Sequence, residues 1–223
     1  MNPAAKGVLA EQIDHARVFG RDACGCCARR PGGPLVVAVL DRNAGQRFTK
    51  GGPRTIPNIG NVTAALRAEA PRWEASLGAP VDVRTVEFQA MSHCDQWCAA
   101  DTATVVVGQH GAGLANMAFL RAKDAGLVEI APASVAFKTI FHCLAGLRGS
   151  HYGKVSQSST TADVDVDDVV AAVDRTLRAA AASADVNATD RYPESRLSPH
   201  MRLHCQKSGG GVRFTGWCRR IAC

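Results

Sequence analysis

The sequence predicts an α/β protein built on a Rossmann-like, doubly wound parallel sheet. Residues 35–40 form a continuous apolar run between Pro34 and Asp41, as in strands buried on both faces of a parallel sheet. Strand-like and helix-like segments then alternate as far as residue 182, which favours repeated strand–helix units. Hydrophobic residues make up 46% of the 223 residues, enough to fill one sizeable core.

The strand-like segments share short runs of Val, Leu and Ile. They lie at 35–40, 81–88, 104–107 and 127–130, with a weaker one at 151–155. Helical spacing of apolar residues falls between and after them, at 58–70, 93–101, 114–119, 135–147 and 165–182. Ligands of doubly wound sheets bind beyond the carboxyl ends of the strands, so the loops after residues 40, 88, 107 and 130 should face the site.

Three segments differ in composition. Residues 1–33 mix a short helix-like stretch with a Cys/Gly/Arg/Pro loop and are interpreted as a remnant or linker. Residues 34–184 carry the Rossmann-like domain, and residues 185–223 form a basic, cysteine-containing tail expected to be irregular.

The net charge is +6 and the pI about 9.0, which suits an anionic partner or simply reflects a basic surface. No Lys/Arg-rich run has interleaved aromatics, so nucleic acid is not an expected partner. No apolar stretch reaches the roughly 18–20 residues of a membrane span, and the first ten residues lack the apolar core of a signal peptide. Two readings stay open, a cytosolic protein or part of a longer one, with membrane contact only through an anchor absent from this sequence.

Nine cysteines leave at least one unpaired in a monomer. Cys94 and Cys98 would share a helix face, which does not favour a bond between them. The Cys24–Cys27 cluster lacks the second ligand pair of a zinc site, so buried or loop thiols and no metal are expected. Sequons at Asn61 and Asn187 fit a secretory lumen but arise easily by chance.

The sharpest feature is the stretch 105–116, a strand followed by a glycine-rich turn and a helix start. Gly111 and Gly113 would admit a ligand close to the backbone and allow positive φ. Free N–H groups at a helix amino terminus bind phosphate. His110 stands beside this turn and could bond a phosphate oxygen in its charged form. The alternatives are a tight structural turn and a structural histidine.

Arginines follow the first strand at Arg42, Arg47 and Arg54, with Asn58 at the next helix start. Guanidinium groups at a carboxyl edge can grip a diphosphate with paired hydrogen bonds. A solvated basic loop is the competing interpretation.

Three further polar residues are candidates. Glu129 sits within an apolar strand and must be paired or bind something; a ribose or sugar hydroxyl and a buried ion pair are equally open. Asp95 and Gln96 either face the site or cap and solvate their helix.

Taken in order, these residues resemble glycosyltransferase family 61, over roughly residues 34–180. The matching elements are Arg42, Arg54-Thr55-Ile56-Pro57-Asn58, Asp95-Gln96, His110 to Asn116, Phe119-Leu120 and Val128-Glu129-Ile130-Ala131-Pro132. A lengthened stretch from Gly45 to Pro53 departs from the pattern, so Arg47 could replace one family arginine.

The resemblance implies the carboxyl-terminal, donor-binding lobe of a GT-B fold. It implies inverting transfer of N-acetylglucosamine, xylose or arabinose from a UDP-sugar to a protein or glycan hydroxyl, without a metal, in the endoplasmic reticulum or Golgi lumen. The implied donor-binding residues are listed together: Arg42, Arg54, Asn58, Gln96, His110, Gly111, Ala112, Gly113, Leu114 and Glu129. His110 is a possible leaving-group stabiliser, and the catalytic base is not assigned.

The rival hypotheses are a truncated or degenerate lobe that binds nucleotide without turnover, a nicotinamide-dependent oxidoreductase, and a zinc or nucleic-acid module.

Overall fold

The structure, a computed structural model, describes residues 3–26, 33–42, 55–120, 124–136 and 138–183. Its five strands form one all-parallel sheet with the order β2-β1-β3-β4-β5. In chain order they are β1 Leu35–Leu40, β2 Val81–Val86, β3 Val105–Gln109, β4 Gly126–Pro132 and β5 His151–Gln157. The predicted Rossmann-like parallel sheet is therefore confirmed.

Five α-helices lie among the described residues. They are α1 Pro3–Cys24, α2 Ile59–Leu77, α3 His93–Thr102, α4 Ile140–Arg148 and α5 Val166–Ala182. Three 3-10 helices lie at Phe88–Ala90, Ala112–Phe119 and Ala133–Val135; we call the second of these the glycine-loop helix.

The helices cover both faces of the sheet, as double winding requires. On one face, α2 and α5 pack over a core that includes Trp73, Val107 and Leu177. On the other, the glycine-loop helix and α4 pack over a core that includes Leu127 and Phe141. β1, β3 and β4 are buried along their whole length, which explains their uninterrupted apolar sequences.

Local signals fix several helix ends. Asp165 accepts hydrogen bonds from the backbone N–H groups of Asp167 and Asp168 and so caps α5. Gly78 ends α2 in the left-handed conformation, with φ of 67°. Helix α2 extends to Leu77, beyond the predicted residue 70, because Trp73 is fully buried and adds another turn of core packing.

The predicted loop 108–113 begins later than expected. Gly108 and Gln109 continue β3 and pair with Glu129 and Ile130 of β4. Gly108 is needed for packing rather than for turning. A Cβ there would lie 3.1 Å from side-chain atoms of both Leu114 and Leu40, so glycine lets the glycine-loop helix pack closely on the sheet.

Segment 1–33, predicted as a remnant or linker, contains the 22-residue helix α1. Disulfides join Cys24 to Cys94 and Cys26 to Cys98, with Cα–Cα distances of 5.0 and 5.1 Å. The expectation of thiols at Cys24 and Cys26 is wrong, because the α3 face that Cys94 and Cys98 share points at the end of α1.

Side chains reinforce the contact between α1 and α3. Arg17 and Asp101 form a buried ion pair at 2.5 Å. Trp97 lies directly on Gly20, where a Cβ would come within 1.9 Å of the indole ring. A residue with any side chain at position 20 would displace Trp97, so these two helices meet at van der Waals contact.

Within these ranges, no helix has the length and apolar character to cross a bilayer. Among the same residues, no three His, Cys, Asp or Glu side chains converge as metal ligands. The tail 185–223 lies outside the described residues.

Candidate anion-binding site

The strand order creates a crevice at the carboxyl ends of β1 and β3. The chain leaves β1 for β2 through α2 on one face, and leaves β3 for β4 through the glycine-loop helix on the other. Neighbouring strands with connections on opposite faces leave such a crevice, where ligands of doubly wound sheets bind. Arg42 follows β1 and His110 follows β3, so both stand at this switch point.

The glycine-rich turn opens a helix, as predicted, but the helix is 3-10 rather than α. Leu114, Met117 and Leu120 are fully buried at intervals of three, the repeat that puts residues of a 3-10 helix on one face. Ala112, in the first turn, is exposed. The first turn of this helix therefore reaches the surface at Ala112, while its apolar face is buried.

The turn does not use the left-handed conformation that its glycines would allow. Gly111 is extended, with φ of 163° and ψ of 179°, and positive-φ glycines in the described part of the chain are Gly25, Gly78 and Gly149. The freedom that Gly111 and Gly113 have to adopt positive φ is therefore not used in this turn. A Cβ atom added at Gly113 would lie 3.8 Å from the Phe88 side chain, which is an ordinary contact distance.

His110 and Glu129 are paired in the interior. The Nδ1 atom of His110 lies within hydrogen-bond distance of Glu129 Oε1, and the Tyr152 hydroxyl donates to Glu129 Oε2 at 2.5 Å. The exposed fraction of the side chain is 7% for His110 and 1% for Glu129. Of the two interpretations open for Glu129, the structure supports the buried pair and leaves no exposed oxygen for a ribose.

Three contacts fix the orientation of His110 and its neighbours. The His110 backbone N–H donates to Ile130 O at 2.8 Å. The Phe141 ring meets the imidazole edge-on, with 5.1 Å between centroids. The His142 ring lies 5.1 Å from that of Tyr152. The site histidine is thus held by strand, helix and carboxylate at once.

Tyr152 remains protonated in this setting. Burial raises the pKa of its phenol well above the usual value, and the hydrogen bond and negative charge of Glu129 raise it further. The phenol therefore acts as a donor to Glu129.

Asn58 and Gln96, two of the predicted donor-binding residues, have polar atoms engaged within the protein. Asn58 donates to Val164 O at 2.8 Å and accepts from Val164 N at 3.1 Å. Gln96 donates to Phe88 O at 2.8 Å and accepts from Asn116 at 3.1 Å. Both side chains hold loops in place at the carboxyl edge. Their contact with the sugar donor stays a prediction.

The other predicted residues fall into three groups. The structure brings together Arg42 and the turn 110–114 at the carboxyl edge. Arg47 and Arg54 lie outside the described residues. Asp95 is exposed and bonds to Ser92, the residue that caps α3, so the capping alternative holds for it.

Comparison with known protein families gives one match. The model of the family described as Glycosyltransferase 61 matches residues 30–128. These residues, which make up less than half of the chain, are similar to glycosyltransferase family 61. No curated protein sequence matches the chain. This similarity supports a sugar-transfer activity that uses a sugar donor and an acceptor.

The family 61 segment includes β1, the glycine-loop helix and the first half of β4. Tyr152 and Phe141, which hold Glu129 and His110, lie beyond it and were missed by sequence reasoning. The available signal was the weak strand at 151–155. In the register of β4 and β5, Tyr152 pairs with Leu127 and Lys154 pairs with Glu129. This register could not be predicted from the sequence.

Proposed function

We propose that this chain provides the donor-binding lobe of an inverting glycosyltransferase that uses a UDP-sugar. One observation carries the proposal. The parallel sheet places the glycine-rich turn, His110 and Arg42 at the switch point between β1 and β3, where doubly wound folds bind nucleotides.

The proposed site binds the diphosphate through its backbone and its basic side chains. N–H groups in the first turn of the glycine-loop helix would face the phosphate oxygens. Arg42 and His110 would supply positive charge, together with Arg54 as the family pattern implies. Developing charge on the leaving diphosphate can be stabilised by fixed donors of this kind, so we propose a reaction that needs no metal.

The reaction follows as a single displacement. A base removes the proton of the acceptor hydroxyl, whose oxygen attacks the anomeric carbon. The bond between that carbon and the diphosphate oxygen breaks, UDP leaves with the electron pair, and the configuration inverts. The proposal does not assign the base to a residue.

By family resemblance, the donor sugar is N-acetylglucosamine, xylose or arabinose, the acceptor is a glycan or protein hydroxyl, and the second lobe is that of a GT-B fold. The two disulfides support a secretory compartment, the endoplasmic reticulum or Golgi lumen, because such bonds persist in oxidising environments.

Calorimetry with UDP and uridine tests the diphosphate site directly. The Arg42→Ala variant should bind UDP about 10- to 100-fold more weakly, the size of a charge-assisted hydrogen bond, and its affinity for uridine should not change. The matched control is Arg84→Ala. Arg84 lies on the edge strand β2, is paired with Asp82, and has a side chain 43% exposed.

A panel of UDP-sugars, screened by the rise in melting temperature, then identifies the donor. Equal loss of UDP affinity in both arginine variants would contradict a specific diphosphate site. UDP binding without transfer to any acceptor would instead support the non-catalytic lobe.

A further inference from the structure

We infer that Gln96 is a positioning residue that holds the glycine-rich turn in shape for the diphosphate. This inference rests on the proposed function. It gives Gln96 a role through the turn rather than a direct contact with the phosphates, and it identifies Phe88 and Asn116 as the two residues through which Gln96 acts.

The side-chain amide of Gln96 joins three elements near the carboxyl edge of the sheet. Its Nε2 donates to Phe88 O at 2.8 Å and to Met91 O at 3.2 Å, in the segment that follows β2. Its Oε1 accepts from Nδ2 of Asn116, in the glycine-loop helix, at 3.1 Å. One half-buried side chain on α3 therefore holds both the glycine-loop helix and the segment beside it.

The donors of this amide are already used within the protein. A glutamine amide has two N–H donors, and those of Gln96 are directed at the carbonyl oxygens of Phe88 and Met91. Because a carbonyl oxygen only accepts hydrogen bonds, these two partners also fix which end of the amide is the nitrogen. The oxygens of an ionised diphosphate are acceptors as well, so they would have to displace one of these carbonyls to bind Gln96.

Phe88 connects Gln96 to the turn itself. The Phe88 side chain is buried in the core beneath the glycine-loop helix. A Cβ atom added at Gly113 would lie 3.8 Å from the Phe88 ring and 3.9 Å from the Leu40 side chain. The backbone of the turn therefore lies over these two side chains. Loss of the bond from Gln96 to Phe88 O would loosen this support at Gly113.

Asn116 gives Gln96 a second connection to the turn. The apolar face of the glycine-loop helix is fixed by the fully buried side chains of Leu114 and Met117. The bond from Asn116 to Gln96 fixes a second side of the same helix to α3, so the helix is held against rotation about its axis. N–H groups stabilise a diphosphate best when they are already directed at it before the ligand arrives.

Helix α3 is itself a firm base for Gln96. Cys94 and Cys98 lie two positions before and after Gln96, and side chains two positions apart project about 160° apart around an α-helix. These cysteines are bonded to Cys24 and Cys26 of α1. Helix α3 is thus fixed to α1 by covalent bonds on one side, while Gln96 reaches the turn on the other.

The test compares Gln96→Leu, Asn116→Ala and the double variant by calorimetry with UDP and uridine. Gln96→Leu should weaken UDP binding about tenfold and Asn116→Ala about threefold, because displaced N–H groups lose part of their hydrogen bonding to phosphate. Uridine has no phosphate, so its affinity should not change. The double variant should bind UDP as Gln96→Leu does, because the effect of Asn116 passes through Gln96.

Hydrogen exchange without ligand separates positioning from a general loss of stability. Amides at 111–116 should exchange faster in Gln96→Leu than in the wild type. Thr104→Val is the matched control. It removes a buried hydroxyl that accepts from Val36 N at the amino end of the strands. It should leave the ratio of UDP to uridine affinity and the exchange at 111–116 unchanged, even if it lowers the melting temperature.

UDP affinity equal to that of the wild type in folded Gln96→Leu would overturn the inference. Losses that add in the double variant would overturn it too, because they would show that Gln96 contacts the ligand on its own. If Gln96→Leu does not fold, Asn116→Ala decides by the same affinity ratio and exchange rates. Absence of UDP binding in the wild type would instead overturn the proposed function, whereas unchanged exchange at 111–116 in Gln96→Leu would overturn the positioning role alone.

Discussion

Asp174 is the residue that joins the two helices on one face of the sheet. From α5 it accepts hydrogen bonds from Trp73 Nε1 at 2.7 Å, Arg178 Nε at 3.0 Å and Arg72 Nη2 at 3.1 Å. Partial burial acts to raise the pKa of this carboxyl. The hydrogen bonds from Arg178 and Trp73 and the charges of Arg178 and Arg72 outweigh that effect, and the pKa is lowered from 3.8.

A folded-state pKa below the unfolded value means that the ionised form stabilises the fold. That contribution is fully present above about pH 4, the ordinary value for an aspartate, and is lost as the pH falls through the folded-state pKa. Asp174→Asn should therefore lower the free energy of unfolding at pH 7 by about 1 kcal/mol, and the difference from wild type should shrink below pH 4. Urea unfolding between pH 7 and pH 3 measures both effects. Asp82→Asn, which alters a pair exposed on β2, is the control, and a difference independent of pH would contradict the assignment.

Residue types alone indicated part of the site chemistry. A carboxylate inside an apolar strand has to be compensated, so Glu129 stood out in the sequence. Which compensation it finds depends on Tyr152, whose approach requires the β4–β5 register. Asn58 shows the same limit, because Val164, its partner on both polar atoms, lies 106 residues away in the chain.

At the scale of elements, the bridged pair of α1 and α3 has the strongest consequence for stability. The two disulfides span 70 and 72 residues of sequence. Once either one has formed, the long loop is already closed, and the second bridge closes only the small ring between neighbouring cysteines. Loop-closure entropy therefore predicts that the two bridges are redundant.

Removing one bridge should cost far less than removing both. Cys24→Ser/Cys94→Ser and Cys26→Ser/Cys98→Ser should each lower the free energy of unfolding by about 2 kcal/mol, the chain-entropy value for the small ring. The quadruple variant should lose about 6 kcal/mol, because it also opens the long loop, which contributes about 4 kcal/mol. Guanidinium unfolding of the three variants and the wild type measures the losses. Additive losses would show that each bridge acts through local strain or packing instead. Cys143→Ser, at an exposed free thiol, is the control.

The glycine-loop helix shows where element prediction failed. Its sequence starts a helix after a glycine turn, and that much was predicted. The 3-10 form follows from the spacing Leu114, Met117 and Leu120 together with the sheet surface on which these side chains pack, and only the folded structure supplies that surface.

At the scale of the whole molecule, the parallel sheet was predictable because buried strands carry continuous apolar runs. The order β2-β1-β3-β4-β5 was not, since it depends on which face each helix covers. The order decides the position of the site. Arg42 and His110 follow strands that are neighbours in the sheet, although the two residues are 68 positions apart in the sequence.

Hydrogen exchange with and without UDP tests that placement across the molecule. Binding at the switch point should slow exchange in peptides covering 38–42 and 108–116, because the ligand contacts these backbone groups and stabilises the elements that carry them. The loops at the amino end of the sheet, 78–80 and 149–150, should exchange at the same rate in both states, since they lie a strand length away from the crevice. If exchange slowed in those amino-end loops and did not change at 108–116, the nucleotide would bind at the amino edge of the sheet and not in the crevice. The glycine-rich turn would then be a structural feature, and the phosphate-binding role argued for it would fail.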